Sequence, residues 1–317
     1  MPNGSTRSHA ARYAQPMPIG LLTGLGAALA WGTMDIASAL ASRRIGSLRV
    51  VAGVQLVGAT ILVVVALLTR TPVPSDPTAL ALSALLGLIG AGAYLAYFTG
   101  LRVGPIAVVS GVVAAYGGLT VVLSVVLRGE SLTALQALGA SVATVGVILT
   151  GIAFEGHWRS TRLAGPGVIF SIVALILFAM MAITTDVAIG YADWLQVLLV
   201  SRLVNATLGL VVVGIVVWLA ARQTRAATGD SSAKAFIVPS RRVVATVVLA
   251  GMLDVAGLAM FAFGISEAPT WLVGLASSFG PAVTIIIAVA FLGERLKPIQ
   301  WFGLSGVAVG MVLIAIP

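Results

Sequence analysis

The feature of this sequence that most constrains its fold is a series of long, continuously apolar stretches. A helix needs about 20 consecutive apolar residues to cross roughly 30 Å of hydrocarbon. We number these stretches as spans 1 to 10 in chain order, at approximately 19–41, 48–69, 79–100, 105–127, 132–153, 166–190, 194–220, 242–264, 269–292 and 298–316. They do not alternate apolar and polar residues, so they predict membrane-spanning helices rather than the strands of a barrel.

Composition agrees with an all-α, polytopic membrane protein. Apolar residues make up 59% of the chain and charged residues 9%, whereas soluble domains are roughly 25% charged. Most connections between spans are short, so they leave no room for a soluble catalytic or nucleotide-binding domain. The net charge of +8 would suggest nucleic acid for a soluble protein. Here the basic residues cluster in the connections, so we expect the lipid bilayer and no nucleic acid as a partner.

The second half of the sequence repeats the first. Residues 100–150 align with 264–314 without a gap, at a constant offset of 164 positions. The matched residues are Gly100/Gly264, Pro105/Pro269, Thr120/Thr284, Gly129/Gly293, Glu130/Glu294, Leu132/Leu296, Gln136/Gln300, Gly139/Gly303, Ser141/Ser305 and Gly146/Gly310. Each repeat holds five spans, an odd number. The two repeats must therefore have opposite orientations in the membrane, which is typical of secondary transporters.

The repeat divides the chain into a polar tail at 1–17, a first five-helix repeat at 18–155 and a second at 156–317. The one long hydrophilic connection, at 221–241, lies in the second repeat and makes the offset smaller for the earlier spans.

Basic residues are distributed unequally between the two sides of the membrane. The connections after odd-numbered spans hold Arg43, Arg44, Arg49, Arg102, Arg159, Arg162, Arg222, Arg225, Lys234, Arg241, Arg242, Arg295 and Lys297. The other side holds Arg7, Arg12, Arg70 and Arg128. The positive-inside rule then predicts cytoplasmic odd connections and two external termini. The excess of Arg over Lys suggests a bacterial protein of the plasma (inner) membrane.

Each repeat ends with the same short pattern. An apolar helix leads into a Gly-Glu pair, Gly129-Glu130 or Gly293-Glu294, and the last helix follows with Leu, then Gln136 or Gln300. This pattern resembles the EamA type of the drug/metabolite transporter superfamily. The resemblance implies ten helices in two repeats, and export or exchange of small metabolites, amino acids or drugs. It also implies a Pro within span 9, where Pro281 fits, whereas Gly117 stands at the matching place in span 4.

The two motif glutamates have a physical interpretation apart from the resemblance. Glu130 and Glu294 are expected in the first turns of spans 5 and 10, facing the positive ends of the helix dipoles, which is worth about 0.3–1 kcal/mol. A gating contact is the alternative. Pro281 and the Gly117-Gly118 pair are the expected flexible points of the two repeats.

Charged and aromatic residues inside the spans are the candidates for a solute or proton pathway, because a charge there usually faces a cavity or a partner. Asp254 lies near the middle of span 8, and Asp35 and Arg202 lie within roughly two turns of the midplane. Helical spacing places polar and aromatic neighbours on the same stripes. The full candidate set is Trp31, Asp35, Ser38, Tyr94, Tyr97, Tyr116, Arg202, Asn205, Asp254, Trp271 and Ser278.

Structural roles remain open for these residues. Arg202 and Asp254 would also fit a buried ion pair between helices, a neighbouring helix would also satisfy Asp35, and the aromatic residues would also fit ordinary packing. A central cavity with one acid, one base and aromatic rings would suit a zwitterionic, amino-acid-like or aromatic solute.

The energy source is not ATP hydrolysis, because neither lysine lies in a P-loop pattern. We expect a secondary transporter, a monomer or homodimer without cofactor or metal, that works by alternating access. Burial in a low-dielectric cavity favours the protonated form of a carboxylate, so Asp35 and Asp254 are candidate proton carriers. A channel or receptor is one alternative. A membrane-embedded enzyme is disfavoured, because His9 and His157 lie outside the spans and no Ser is paired with a base.

Overall fold

The computed structural model describes residues 17–103, 106–151, 166–228, 239–280, 282–283 and 298–315. These residues form helices and no strand. The helices are α1 Met17–Ile45, α2 Ser47–Thr69, α3 Pro77–Val103, α4 Ile106–Ala114, α5 Tyr116–Arg128, α6 Ala134–Gly151, α7 Pro166–Ile189, α8 Trp194–Thr228, α9 Arg241–Glu267, α10 Thr270–Ser277 and α11 Pro298–Ala315.

The helices follow the predicted spans. Seven described segments are long and apolar enough to cross a membrane, and two shorter apolar helices cover 134–149 and 301–314. In span 4, α4 and α5 meet at a single residue, Ala115, whose N–H donates to the Val112 carbonyl at 3.2 Å in a tighter turn. The backbone of Ala115 stays near helical values, φ −65° and ψ −7°, and Gly111–Arg128 is one continuous apolar segment. Within the described residues, span 9 is represented by α10 and the residues that follow it.

Polar side chains at the helix ends explain where several helices begin. Thr133 and Gln136 form a capping box before α6: the Gln136 N–H donates to Thr133 Oγ1 at 3.2 Å, and the Thr133 N–H donates to Gln136 Oε1 at 3.0 Å. Ser240 Oγ caps α9 by accepting from the Val243 N–H. Gln136, part of the repeated motif, therefore marks the start of the helix that ends the first repeat.

The contact between α6 and α11 shows that the repeats are inverted. A Cβ on Gly139 would lie 2.8 Å from the Gly310 carbonyl oxygen, and one on Gly146 would lie 2.7 Å from the Gly303 carbonyl oxygen. Gly139 matches Gly303 in the repeat, and Gly146 matches Gly310. The two equivalent helices therefore run antiparallel about a two-fold axis that is perpendicular to them and lies in the plane of the membrane. The predicted inverted, ten-span architecture is confirmed.

The two repeats interlock instead of lying side by side. Helix α1 packs antiparallel to α9, with Thr23 beside Gly264 and Trp31 beside Gly257. The equivalent pair, α3 with α7, packs in the same way, with Gly100 beside Gly167. Close packing of helices at small residues is typical of membrane proteins. The spaces between helices are thus bounded by both repeats.

The outer surface of the bundle is apolar. Leu67, Leu68 and Phe302 are each more than 70% exposed, at 73%, 79% and 75%. In contrast, many of the fully buried positions are Ala and Gly. Lipid chains solvate the large exposed side chains, so the hydrophobic surface needs no protein to cover it.

Candidate functional site

A cavity with an empty volume of about 680 Å³ lies between the two repeats. Six spans line the cavity, three from each repeat. The lining residues are Trp31, Met34, Asp35, Tyr94, Tyr97, Val113, Ala114, Tyr116, Phe178, Met181, Leu258, Phe261, Ser277, Ser278 and Gly280.

The lining follows the internal symmetry almost residue by residue. Trp31 and Met34 match Phe178 and Met181 at an offset of 147 positions, the smaller offset that precedes the long connection. At the offset of 164, the matches are Tyr94/Leu258, Tyr97/Phe261, Val113/Ser277, Ala114/Ser278 and Tyr116/Gly280. Asp35 is the exception, since Ala182 stands at its equivalent position. The backbone framework of the cavity is therefore two-fold symmetric, whereas its polar groups are not.

Asp35 brings a carboxylate to the cavity wall. It is half-buried, and its Oδ2 accepts a hydrogen bond from the Tyr97 hydroxyl at 2.8 Å. Trp31, one turn earlier on α1, packs its indole against Gly257, where an added Cβ would lie 2.7 Å from the indole Nε1. A side chain at position 257 would thus displace Trp31 from the wall.

Asp254 lies in a buried network beside the cavity. Its side chain is fully buried; Oδ1 accepts from the Tyr94 hydroxyl at 2.6 Å, and Oδ2 accepts from Arg202 Nη1 at 2.7 Å. The same Nη1 donates to Gln55 Oε1. Both oxygens of Asp254 are thus occupied by donors, and Arg202 is paired, so of the two roles considered for these residues the geometry shows the ion pair.

Gln55 is a member of this network that the sequence interpretation missed. It stands at the position equivalent to Arg202, at the offset of 147, so the two side chains meet near the two-fold axis. A buried amide in an otherwise apolar span was the available signal. Phe178 and Phe261 were also missed, and their signal was repeat equivalence to the predicted Trp31 and Tyr97. Met34 and its equivalent, Met181, were both missed.

A smaller side chamber, with an empty volume of about 280 Å³, adjoins the cavity. Arg202 and Asn205 line it, and it shares Tyr94, Met181 and Leu258 with the main cavity. Arg202 Nη2 and Asn205 Oδ1 are buried and have no hydrogen-bond partner within the described part of the chain. Unpaired polar atoms in a small polar space are typical of sites for internal water.

Tyr116, at the start of α5, lines the cavity. Its hydroxyl hydrogen-bonds to Ser277 Oγ of the other repeat at 2.8 Å. The next residue, Gly117, packs so closely on Ser278 that a Cβ would not fit, and a Cβ on Gly118 would lie 2.5 Å from Thr144 Cγ2. Both glycines therefore permit close helix contacts at the start of α5.

Four predicted residues lie away from the cavity or outside the described part of the chain. Trp271 is buried in an apolar cluster with Leu272, Leu275 and Phe279, and does not line the cavity. Ser38 is also buried, and its hydroxyl has no partner among the described residues. Pro281 and Glu294 lie outside the described residues, as do most of the predicted tail and the central part of the connection at 221–241.

Glu130 caps a helix, but this helix is α10 and not the predicted one, which is the helix of span 5. Helix α6 begins only at Ala134, so Glu130 precedes its first turn. Its carboxylate instead accepts from the backbone N–H groups of Thr270 and Trp271, at 3.0 and 3.1 Å, at the start of α10 in the other repeat. Gly129 has φ 67°, a left-handed conformation that favours glycine and turns the chain at the end of α5.

A second contact joins the end of α5 to the other repeat. Arg128 Nε lies 2.5 Å from Asp186 Oδ2 on α7, and the Asp186 side chain is 2% exposed. Together with the Glu130 cap, this ion pair links the repeats at the face of the bundle where α1 and α10 begin. We call this pair of contacts the cross-repeat latch.

Comparison with known proteins agrees with the repeat and its motifs. The sequence pattern of the EamA-like transporter family matches residues 18–152 and 165–316. No curated protein matches the chain in sequence. A crystal structure of another protein is 18% identical, with a TM-score of 0.71 over 93% of this chain and 95% of that one, which shows a shared fold. Since the family pattern covers almost all of both repeats, the chain belongs to the EamA-like transporter family.

Proposed function

We propose that this protein is a secondary transporter that carries a small solute across the membrane by alternating access. The observation that carries the proposal is the central cavity, which is lined by equivalent positions of two inverted repeats. Two repeats of nearly the same fold and opposite orientation can exchange conformations, and the exchange opens the same cavity first to one side and then to the other.

The cross-repeat latch supports this mechanism. Arg128 and Glu130 tie the end of α5 to α7 and α10, so the repeats are held together at the face where α1 begins. Opening toward that face would require these contacts to separate. A mechanism of alternating access needs such contacts to form and break between repeats, whereas a permanently open channel does not.

The sequence also suggests the solute, the membrane, the topology and the coupling ion, and we include them in the proposal. The solute is a small metabolite, amino-acid-like or drug-like compound, exported or exchanged by a monomer or homodimer in a bacterial plasma membrane, with both termini external. Transport is coupled to protons, and Asp35 is the favoured carrier, because it lines the cavity while Asp254 is held between Tyr94 and Arg202. If gradient-driven flux were unchanged in the Asp35→Asn and Asp254→Asn double variant, proton coupling would be excluded.

The absence of cysteine gives a direct test of alternation. A thermal-shift screen of amino acids, amines, carboxylates and sugars would identify a solute, and its labelled form would be followed in proteoliposomes. We expect saturable uptake and counterflow. In the Arg128→Cys, Asp186→Cys double variant, a disulfide should stop counterflow, and reduction should restore it. Each single-cysteine variant is the control for oxidation alone.

Three outcomes would contradict the proposal. Flux that rises linearly with solute concentration and shows no counterflow would indicate a channel. Ligand binding without any flux would indicate a receptor. Counterflow that is unaffected by a quantitatively formed disulfide would show that the latch does not separate during transport.

A further inference from the structure

The charge balance of the cavity indicates what kind of solute it binds. Among the fifteen described residues that line it, Asp35 is the one with an acidic side chain, and none is Arg, Lys or His. The neighbouring acid, Asp254, is matched by Arg202. When Asp35 is ionised, the cavity and its buried network therefore have a net charge of −1.

Asp35 has no cation in contact within the described residues. The partner that the structure shows for its carboxylate is the neutral hydroxyl of Tyr97, whereas the described ion pairs engage Asp186 and Asp254. A charge at this depth is costly unless an opposite charge accompanies it. An ionised Asp35 therefore needs a positive group in the cavity to balance the charge of its carboxylate.

Aromatic rings surround the space beside Asp35. The ring centre of Phe178 lies 5.5 Å from that of Tyr94, 6.0 Å from Tyr97 and 5.9 Å from Tyr116. Trp31 lies 5.6 Å from Phe261 in the same wall. Aromatic faces attract desolvated cations by about 2 kcal/mol and are typical of sites for quaternary ammonium groups. Met34 and Met181 add flexible apolar surface that accommodates different shapes.

The same geometry disfavours an anion. Arg202 does not line the cavity: its Nη1 donates to Asp254 and Gln55, and its Nη2, which has no hydrogen-bond partner among the described residues, belongs to a side chain that lines the side chamber. The hydroxyls of Tyr94 and Tyr97 donate to carboxylates. An anion in the cavity would thus face Asp35 without a compensating charge.

We infer that the cavity binds an organic monocation, with its ammonium group against Asp35 and its apolar body among the aromatic rings. This inference rests on the proposed function for the role of the cavity, and it narrows the solute to protonated amines and quaternary ammonium compounds.

Matched probes separate charge from shape. Phenyltrimethylammonium and tert-butylbenzene have the same shape, because the cation differs by nitrogen in place of one carbon, and benzenesulfonate offers the opposite charge. Each would be titrated calorimetrically into the full-length protein in nanodiscs, with empty nanodiscs measuring partition into lipid. We expect the cation to bind at least about tenfold more tightly than tert-butylbenzene, and benzenesulfonate not to bind.

Asp35→Asn and Trp31→Leu test whether the preference for the cation arises in the cavity, and Glu267→Gln is the control. Asp35→Asn should weaken binding of phenyltrimethylammonium at least about tenfold, whereas Glu267→Gln, the same change of charge at the end of α9, should leave it unchanged. Trp31→Leu retains the carboxylate but removes an aromatic face, and it should weaken binding of the cation more than that of tert-butylbenzene. If Asp35→Asn does not fold, the inference is tested by the preference of the wild-type protein for the cation over tert-butylbenzene and by the effect of Trp31→Leu on that preference.

Equal affinity for the cation and tert-butylbenzene, an undetectable interaction with phenyltrimethylammonium, or unchanged binding in a folded Asp35→Asn variant would overturn the inference. These titrations measure binding without flux. Transport of a neutral or anionic solute would refute the inference and leave the proposed transporter intact. Selective binding of the cation without flux of any solute would support the inference about the ligand and contradict the proposed transporter.

Discussion

Asp254 and Asp35, on α9 and α1, have different surroundings. Asp254 receives two donors and faces Arg202, while Asp35 receives the Tyr97 hydroxyl and borders the cavity. The difference follows from the neighbouring helices, since α2 and α8 supply Gln55 and Arg202 only on the Asp254 side. The same residue type therefore has a structural role in one place and is available to a ligand in the other.

The Arg202–Asp254 pair predicts strong coupling between these two residues. Asp254→Asn alone should lower the free energy of unfolding by about 3–5 kcal/mol, because a buried guanidinium loses its counter-charge. The double variant with Arg202→Met should lose less than the sum of the two single variants. Denaturant unfolding of all four proteins in the same detergent measures this coupling. Strictly additive losses would show that the pair contributes no mutual stabilisation.

Among the described helices, α6 and α11 have the most extensive contact between the repeats. Gly139→Ala should lower the free energy of unfolding by about 1–3 kcal/mol, because the added Cβ overlaps the backbone of Gly310. Gly214→Ala on α8 is the matched control, since no atom lies within 4 Å of a Cβ there, and it should stabilise the helix by up to about 1 kcal/mol. Similar unfolding midpoints for the two variants would contradict the proximity of α6 and α11.

The start of α10 depends on a side chain from the other repeat. Glu130→Ala removes the acceptor of two buried N–H groups and should lower the free energy of unfolding by about 1–3 kcal/mol. Glu130→Gln retains one acceptor oxygen and should recover part of the loss. Thermal unfolding and backbone hydrogen exchange at Thr270 and Trp271 provide the measurement. If hydrogen exchange at those two amides were as slow in Glu130→Ala as in the wild type, the Glu130 carboxylate would not stabilise the start of α10.

Across the whole molecule, the latch breaks the symmetry that the backbone preserves. Arg128 and Asp186 form an ion pair at one face, whereas Leu292 and Ala39 stand at the repeat-equivalent positions. The sequence therefore allows this ion pair at one face and not at the equivalent place on the other. Under the proposed mechanism, the pair favours the state in which the cavity is closed at that face.

This asymmetry predicts a shift in the balance between the two states. Asp186→Asn should make the cavity more accessible from the face where α1 begins, by about fivefold or more, because one contact of the closed state is weakened. A cysteine at Val113, labelled from each side with a membrane-impermeant maleimide, reports the change. The same cysteine with Asp76→Asn, an exposed acid, is the control. Unchanged labelling from both sides would show that the ion pair does not bias the equilibrium.

The sequence alone determined the number and type of spans, the inverted orientation of the repeats and the family, because each depends on local apolar length, on an odd number of spans or on residues in matching positions. It also identified Trp31, Asp35 and three tyrosines as neighbours of a shared space. These features are encoded within single helices or in the comparison of one repeat with the other.

Only the tertiary structure decided which residues are partners. Three partnerships depend on how helices distant in sequence rotate and cross: Gln55 completes the Arg202 network, Glu130 caps α10, and Trp271 is enclosed by apolar side chains. Helical periodicity defines a face of each helix, but close packing among all the helices determines what that face meets.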